Sequence, residues 1–456
     1  MRAIVPERDL CYNAGIMKYL QKAQWTTDKY VMLMLGVYPV FWGNEGYNNI
    51  TGSKFLFFAA ATAVWLAAVL VLLGIGASKK EKYGLRLRPV HWAMAAFFAV
   101  SAVSAIVSPF GGTCLMGAGR YDGFLTMVLL GIVFFGVSAL AGPRRRYVWA
   151  LAFSTAVCCA VSFVQVTGVN FLGLYPDGTC FFDNYIAFNG AFLGTLGNAG
   201  ITCAFLCLTA PVLAVSAVRS QNRRDRLLLI PAAMAVAAIV LCDVDAGYVA
   251  LAACALVCAP LLPDKKKTRR TVLWAVLAII AAGLTAVWFW PGDSGMLWEA
   301  SRILHGDIRD EFGSHRIQIW RQALLLVSER PLLGAGPGTV AARLNIVWTR
   351  FIEQTGVTRT TGVDNTHNVY LGYLLNVGIL GLGAYLAAMA CSFVTWVKRR
   401  HTSALFAAFG AGLLCYFVQD FFGIGLVLSS PFLWLAWGLL ESGESRPIDF
   451  PSEMVS

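Results

Sequence analysis

The chain contains 456 residues, of which 58% are hydrophobic and only 13% are charged, and its formal net charge is +11 at pH 7. An ordinary soluble domain is about 45–50% apolar and about 25% charged. The composition therefore excludes disordered, coiled-coil, collagen-like and disulfide-scaffold proteins, and it argues against a large soluble enzyme. It is typical of a polytopic membrane protein, whose cytoplasmic loops collect Lys and Arg, so the positive charge requires no nucleic-acid partner.

Twelve apolar stretches are candidates for membrane-spanning helices. A bilayer core of about 30 Å requires roughly 20 mostly apolar residues in each helix. We therefore expect an all-α polytopic bundle of about 10–12 transmembrane helices. In chain order the stretches are 29–43, 54–77, 90–108, 123–141, 147–166, 192–218, 227–242, 247–262, 272–290, 368–397, 403–421 and 424–440.

The charge of the connecting loops alternates along the chain. Five loops hold 20 Lys and Arg in total, whereas the five short loops that alternate with them hold two. Because Lys and Arg are enriched in cytoplasmic loops, the basic set and both termini are predicted to be cytoplasmic. The basic loops are 78–89, 142–146, 219–226, 263–271 and 398–401.

Residues 291–367 form the longest connection, with 77 residues between the ninth and tenth stretches. Connections longer than about 15 residues are usually functional or disordered, and tryptophans such as Trp298 and Trp348 favour a folded segment. We therefore divide the chain into residues 1–290 with the first nine spans, a large external loop at 291–367, and residues 368–456 with the last three spans and a cytoplasmic tail.

Cysteine and histidine give no sign of a metal site. Nine of the twelve cysteines fall inside predicted spans, where a small buried Cys is a common packing residue. Cys114 and Cys180 fall in external loops and could pair in an oxidising compartment, but the sequence leaves this pairing open. The histidines of the external face, His305, His315 and His367, lack metal-ligand spacing, so we expect no metal ion and no cofactor.

Residues 314–331 of the external loop have the pattern of an amphipathic helix, with Ser314 as a candidate N-cap and Pro331 as the stop. At about 100° per residue, the side chains that lie closest to Arg316 in the helical projection are apolar. Arg321 falls about 140° away, on the polar face. An arginine on an apolar face requires an anionic partner, either a ligand or a loop carboxylate, and we favour a ligand for Arg316. For Arg321 a solvated position is expected.

The next segment, 331–338, is rich in glycine. Its backbone N–H groups could contact a phosphate, as in a nest of amides. A Walker or Rossmann loop is excluded because no strand precedes it. A simple helix stop and turn explains the composition equally well.

The external loop ends at His367, directly before the tenth span. Asp364, Asn365 or Thr366 can cap that helix, which places His367 in or near its first turn. The positive end of the helix dipole disfavours imidazolium. A neutral imidazole is the form that a general base requires, so His367 is the candidate catalytic residue.

Three further residues belong to the same end of the bundle. Arg120 is one of only two cations in the short external loops, and it either binds substrate or pairs with Asp122. Asn198 lies near the external end of the sixth span, where an interhelical hydrogen bond is the simpler explanation. Asp420 is an acid at membrane depth, which makes it a functional candidate without an assigned role.

Taken together, these residues resemble the O-antigen ligase and O-antigen polymerase family. The resemblance covers most of the chain, including the number of spans and the position of the large loop. Its motifs, in chain order, are Gly119-Arg120-x2-Gly123, Gly197-Asn198, Arg316-x3-Trp320-x10-Pro331-x2-Gly334-x-Gly336-x-Gly338, Thr366-His367-Asn368-x-Tyr370 and Asn376-x-Gly378-x2-Gly381.

The resemblance implies a metal-independent membrane glycosyltransferase of the GT-C type in the bacterial cell membrane. Such an enzyme moves a glycan from a polyprenyl-diphosphate carrier to an acceptor hydroxyl on the outer face. By position, His367 corresponds to the catalytic histidine of the family, and Arg120 and Arg316 correspond to arginines that bind the diphosphate. Asn198 and Asn368 belong to the motifs and are expected to bind substrate.

The sequence departs from the family pattern at two places. The family often has Ser-Arg-Gly after the seventh span, where this chain has Asp245-Ala246-Gly247. The Gly-Asn motif is often followed by Pro in the family, whereas Ala199 follows here.

Two other function classes share some of these features. A transporter or flippase of lipid-linked glycans would use the arginines to bind its cargo, but such proteins usually bind substrate at the bilayer midplane. A cell-wall polymerase of the shape-and-division class would need a catalytic acid in an external loop, and Asp310, Glu311 and Asp364 are the candidates. The sequence does not identify the sugar or the acceptor, which could be a glycan, a lipid or a protein.

Overall fold

The computed structural model describes residues 17–81, 83–84, 87–175, 181–182, 185–186, 193–352 and 357–442. Helices dominate this part of the chain. They are α1 (Lys18–Gly36), α2 (Ile50–Ser78), α3 (Pro89–Ile106), α4 (Gly112–Met116), α5 (Phe124–Leu140), α6 (Arg145–Val166), α7 (Ala199–Arg219), α8 (Leu229–Leu241), α9 (Asp245–Leu261), α10 (Lys266–Trp288), α11 (Gly295–Leu304), α12 (Phe312–Val327), α13 (Val369–Arg399), α14 (Ala404–Asp420) and α15 (Ser430–Glu441).

The helix bundle confirms the expected all-α polytopic membrane fold. Each of the twelve apolar stretches overlaps a helix, and among the described residues six helices are long and apolar enough to cross a membrane, with three shorter apolar helices beside them. The largest difference concerns α1, which begins at Lys18 rather than at residue 29 and ends at Gly36. Its early start has a physical cause, because the Glu81 carboxylate accepts hydrogen bonds from the backbone N–H groups of Tyr19 and Leu20.

Burial differs sharply between the long helices. In α7, 83% of the most apolar window is buried, and this helix packs against α8 and α14 at the centre of the bundle. Its small residues, including Cys203, Cys207 and Ala210, allow this close packing. In α10, by contrast, only Val276 is buried, so the helix presents nearly all of its surface to its surroundings.

The described residues of the long segment 291–367 are folded. It contains α11, α12 and an antiparallel hairpin of β3 (Val347–Ile352) and β4 (Val357–Gly362), in which Val347 pairs with Gly362. A second short pair, β1 (Phe181–Phe182) and β2 (Tyr185–Ile186), lies between α6 and α7. A small core joins the long segment to the first turns of α13 and consists of Ile319, Ala323, Val340, Leu344, Ile346 and Val363 with Leu375 of α13.

Helix α13 is broken at Gly378, whose φ is 67° and ψ is −173°. The glycine-rich segment 331–338 lies alongside this break. The N–H groups of Ala335 and Gly336 donate to the carbonyls of Leu375 and Asn376, at 3.0 and 2.9 Å. In the opposite sense, the N–H of Ile379 donates to the carbonyl of Pro331 at 2.9 Å. Backbone groups that a continuous helix would satisfy internally are thus paired with the loop.

Candidate active site

A left-handed turn leads into the regular part of α12. Gly313, Ser314 and His315 have φ values of 62°, 57° and 65°, so Ser314 is not the N-cap expected from the sequence. The Glu299 carboxylate accepts a hydrogen bond of 2.9 Å from the N–H of Gly313. Arg316 donates from Nη1 to the carbonyl of the same glycine at 2.9 Å. Glu299 and Gly313 therefore fix the point from which Arg316 projects.

Arg316 lies on the inner side of α12, as the helical projection predicts. Ile319 and Ala323 of the same face are fully buried. The Nε of Arg316 is buried and has no hydrogen-bond partner within the described part of the chain. Burial lowers the pKa of Arg316, and the nearby carboxylates of Asp245 and Glu299 offset this in part. The side chain is thus partly buried with an unpartnered Nε–H among the described residues, an arrangement that suits an anion.

Arg321 lies on the solvated face, in agreement with the prediction. Its side chain is 55% exposed and forms an ion pair of 2.6 Å with Asp310. It also donates to the carbonyl of Ile308 at 3.0 Å.

The segment before α13 forms a compact turn around His367. The N–H of His367 donates to the side-chain oxygen of Asn365 at 2.9 Å, and the Thr366 hydroxyl donates to the carbonyl of Asn368 at 2.6 Å. Asn368, and not one of the three preceding polar residues, is the N-cap, because its side-chain oxygen accepts from the N–H of Leu371 at 3.0 Å. His367 therefore lies one residue before the cap, with a left-handed φ of 45°.

Trp320 connects α12 to this turn. Its indole Nε1 donates to the carbonyl of Thr366 at 3.0 Å. Arg316 is four residues before Trp320, so both side chains project from the same helix face. This geometry brings the Arg316 guanidinium close enough to His367 to lower its pKa.

Arg120 approaches the same turn from the loop before α5. It forms an ion pair of 2.5 Å with Asp364, in which about one third of each side chain is exposed. The sequence left open substrate binding or an ion pair with Asp122, and the carboxylate that pairs with Arg120 is Asp364 instead. Burial raises the pKa of Asp122, whose Oδ1 has no hydrogen-bond partner among the described residues.

His367 is electrically neutral in this environment. Burial lowers its pKa to about 4, Arg316 and Arg120 contribute in the same direction, and Asp364 acts against them. The side chain therefore carries no proton charge near pH 7 and can accept a proton. The sequence argument attributed neutrality to the helix dipole, whereas the largest cause is burial.

The two asparagines of the expected site act as helix caps. The side-chain oxygen of Asn198 accepts from the N–H of Ile201 at 3.1 Å and begins α7. Asn368 is buried and performs the same role for α13. Their binding of substrate stays a prediction.

The glycine-rich segment packs against the break in α13. The backbone N–H groups of Ala335 and Gly336 donate to carbonyls at this break, so they are not available to bind a phosphate. A Cβ atom at Gly334 would lie 2.4 Å from the backbone carbon of Asn376. At Gly336 it would lie 2.6 Å from the sulfur of Cys114. Of the two explanations left open by the sequence, close packing at a turn is the one that this geometry supports.

The sequence assigned no role in the site to three residues that lie near it. Asp245, which stands where the family often has Ser and precedes the Ala246 that replaces its Arg, lies near Arg316 at the first residue of α9. Trp320 and Glu299 hold the turn and the arginine in place. The position of Trp320 four residues after Arg316 was the only sequence signal for these contacts.

Asp420 is 2% exposed at the end of α14, near Tyr370 and Tyr373. This position does not assign it a role, which the sequence also left open. Cys114 is buried, and its possible partner Cys180 lies outside the described residues. Among the described residues, no group of three or more His, Cys, Asp or Glu side chains is arranged to hold a metal ion.

Fold and site together define a multi-pass helical membrane protein with a histidine and two arginines gathered at one end of the bundle. Residues 230–386 match the family model described as O-antigen ligase, which confirms the resemblance seen in the sequence. The matched segment includes Asp245, Arg316 and His367. No curated protein matches the chain. The family supports a role in joining or polymerising glycans at a membrane.

Proposed function

We propose that this protein transfers a glycan from a polyprenyl-diphosphate carrier to an acceptor hydroxyl on the outer face of a bacterial cell membrane. Arg316 and Arg120 bind the diphosphate, and His367 acts as the general base. The observation that carries the proposal is the convergence of His367 with two guanidiniums, one of which has a buried, unpartnered donor.

The chemistry of the donor fits these groups. As the glycosidic bond to the diphosphate breaks, negative charge grows on the leaving group, and fixed guanidiniums stabilise it. The planar fork of Arg contacts two phosphate oxygens at once. Asp364 holds Arg120 in the absence of an anion, and the diphosphate would compete with that carboxylate for the guanidinium.

Burial is the largest cause of the low pKa of His367, and the two arginines add to it. A pKa of about 4 makes a weak base, and both arginines contribute to it. A bound diphosphate neutralises the guanidiniums and removes their effect, so the pKa of His367 rises toward its ordinary value. General-base catalysis is most efficient when the pKa is near the working pH. Donor binding would thus activate the base.

Two acids proposed for the alternative polymerase chemistry are engaged in ion pairs. Asp364 pairs with Arg120, and Asp310 pairs with Arg321 on the exposed face. A carboxylate that is held by a guanidinium is a poorer proton acceptor than a neutral imidazole. For the transporter alternative, the polar groups lie at one end of the bundle, in the loop and before α13, rather than at its middle.

A metal ion has no part in this mechanism, since the guanidiniums supply the positive charge. Purified protein treated with a chelator should keep its transfer activity. Loss of activity on chelation, with recovery on addition of one divalent cation, would show that the leaving group is stabilised by a metal instead.

The proposal is tested by reconstitution. Purified protein in proteoliposomes is supplied with a radiolabelled glycan on polyprenyl diphosphate and, in separate reactions, with candidate glycan, lipid and protein acceptors. We expect the label to move to one acceptor class with release of polyprenyl diphosphate. Translocation of the intact lipid-linked glycan between leaflets without transfer would instead identify a flippase.

A further inference from the structure

The peptide bond between Thr366 and His367 is held at both of its ends. Its carbonyl oxygen accepts a hydrogen bond of 3.0 Å from the indole of Trp320. Its N–H donates to the side-chain oxygen of Asn365 at 2.9 Å. The two contacts come from different parts of the chain, because Trp320 lies on α12 whereas Asn365 lies within the turn itself. Since the peptide unit is planar, its orientation sets the direction in which the His367 side chain leaves the backbone.

Asn365 has a second hydrogen bond, which leads away from His367. Its amide Nδ2 donates to Oδ1 of Asp364 at 2.7 Å. An ionised carboxylate can only accept and a backbone N–H can only donate, so these two partners fix which end of the amide is nitrogen and which is oxygen. The side chain of Asn365 is therefore a bridge of defined orientation between a carboxylate and the backbone of the histidine.

The bridge continues to Arg120. The second carboxylate oxygen of Asp364, Oδ2, contacts Nη2 of Arg120 at 2.5 Å. Asp364 thus uses one oxygen for the arginine and the other for Asn365. A continuous line of polar contacts runs from the guanidinium of Arg120 through both side chains to the N–H of His367. A change in the partner of Arg120 therefore reaches the backbone of the histidine.

The backbone at His367 requires such support. Its φ of 45° lies in the left-handed region, which is unfavourable for a residue with a Cβ atom and persists only where surrounding contacts hold it. Capping of α13 does not account for Asn365, since Asn368 caps that helix. Both hydrogen-bonding ends of the half-buried Asn365 side chain are engaged within the turn. The role that remains for Asn365 is to hold His367 in this conformation.

We propose that Asn365 is a positioning residue that couples occupation of Arg120 by the diphosphate to the orientation of His367. The inference rests on the proposed function, because it requires the diphosphate to bind Arg120. In the structure, Asp364 is shared between Arg120 and Asn365. When the diphosphate takes the guanidinium, Asp364 keeps the Asn365 amide as its donor, and a carboxylate with fewer competing donors binds that amide more strongly. The peptide before His367 is then held most firmly in the state that reacts.

The test uses Asn365→Ser, with Asn345→Ser as the matched control. A serine hydroxyl at position 365 can still accept from the N–H of His367, but it is too short to reach Asp364. Asn345 belongs to the same loop and is exposed. The Kd of polyprenyl diphosphate is measured in detergent. The kcat of glycan transfer is measured at saturating donor on the alkaline plateau of the pH profile, where His367 is neutral in every variant.

We expect Asn365→Ser to lower kcat about tenfold or more, because a small misplacement of a reacting group is costly in rate. The Kd should stay within about twofold of wild type, since both arginines still bind the diphosphate. Retained binding also shows that the variant is folded. Asn345→Ser should match wild type in both measurements. Equal kcat values for the two variants overturn the proposal, and so does a loss of kcat that is matched by an equal rise in Kd, which indicates general disruption of the site.

A double-mutant cycle separates the relay from a purely local turn. If Asn365 acts through Asp364, Asp364→Ala interrupts the same line of contacts. The double variant should then lose no more kcat than the more damaged single variant, within about twofold. Losses that multiply show that Asn365 acts independently of Asp364, and they overturn the relay.

The two proposals fail in different ways. Absence of glycan transfer by the wild-type protein overturns the proposed function, and the relay with it. Transfer by the wild-type protein, together with an undiminished kcat in Asn365→Ser, leaves the proposed function intact and overturns the relay alone.

Discussion

Trp320 and Thr366 are joined by a hydrogen bond of 3.0 Å that runs from an indole N–H on one helix to a backbone carbonyl in the turn before another. Forty-six residues separate them in sequence. The bond is between neutral groups, so pH and salt do not weaken it as they would an ion pair. This hydrogen bond keeps Arg316 of α12 beside His367, which precedes α13. The geometry of the site depends on it.

The first prediction concerns His367. His367→Ala should lower the rate of glycan transfer by roughly 10²–10⁴-fold, the usual contribution of a general base, while binding of polyprenyl diphosphate is retained. Cells with this variant should accumulate lipid-linked glycan, which is measured by extraction of the lipid pool. Transfer at a near wild-type rate would show that another residue is the base, and Asp364→Asn would then be examined.

The second prediction concerns pH. Protonation of His367 removes the base, so activity should fall as the pH drops through the pKa of this residue. In the free enzyme that pKa is about 4, and bound diphosphate should raise it by neutralising Arg316 and Arg120. Profiles recorded between about pH 4 and 9 should therefore show the acid limb of kcat at a higher pH than that of kcat/KM. Coincident limbs would contradict the coupling between donor and base.

A third prediction separates the two arginines of α12. Arg316→Lys should lower kcat/KM about tenfold or more, because an ammonium cannot contact two phosphate oxygens as a planar guanidinium does. Arg321→Lys is the matched control, since Arg321 is 55% exposed and pairs with Asp310. Its activity should stay within about twofold of wild type. An equal loss of kcat/KM in both variants would show that the helix face on which an arginine of α12 lies does not determine its role.

A fourth prediction concerns stability. Gly334 has a φ of 69°, and a Cβ atom there would lie 2.4 Å from the backbone of Asn376. Gly334→Ala should therefore destabilise the protein by more than about 1–2 kcal/mol, the cost of the left-handed conformation alone. Gly283→Ala in α10 is the control, because no atom lies within 4 Å of its Cβ position. Thermal unfolding in detergent should show a lower Tm for the first variant only.

The fifth prediction concerns orientation. Reporter fusions that end after Lys265 should read cytoplasmic, and fusions that end after Gly306 should read external, as the charge asymmetry of the short loops requires. A cytoplasmic reading at Gly306 would place the candidate site on the cytoplasmic side of the membrane. The site would then not face the proposed donor, which lies on the outer face.

Much of the helix bundle follows from hydropathy because a membrane helix must satisfy its backbone internally and present apolar side chains. The start of α1 was missed, since Glu81 caps it from another segment. In the site, Arg316 and His367 were identified from local pattern, and Arg321 was correctly assigned to the solvated face. The pairing of Arg120 with Asp364 could not be read from the sequence, because the two residues meet only after the loop has folded onto α13.

The break in α13 also bears on biosynthesis. Residues 331–338 leave the ribosome before α13 does, so during that interval the N–H groups of Ala335 and Gly336 have only water as a partner. The carbonyls of Leu375 and Asn376, in turn, cannot enter hydrocarbon unpaired without a large penalty. Complete insertion of α13 therefore requires the glycine-rich segment to dock at the break, which couples folding of the long loop to insertion of the helix that follows it.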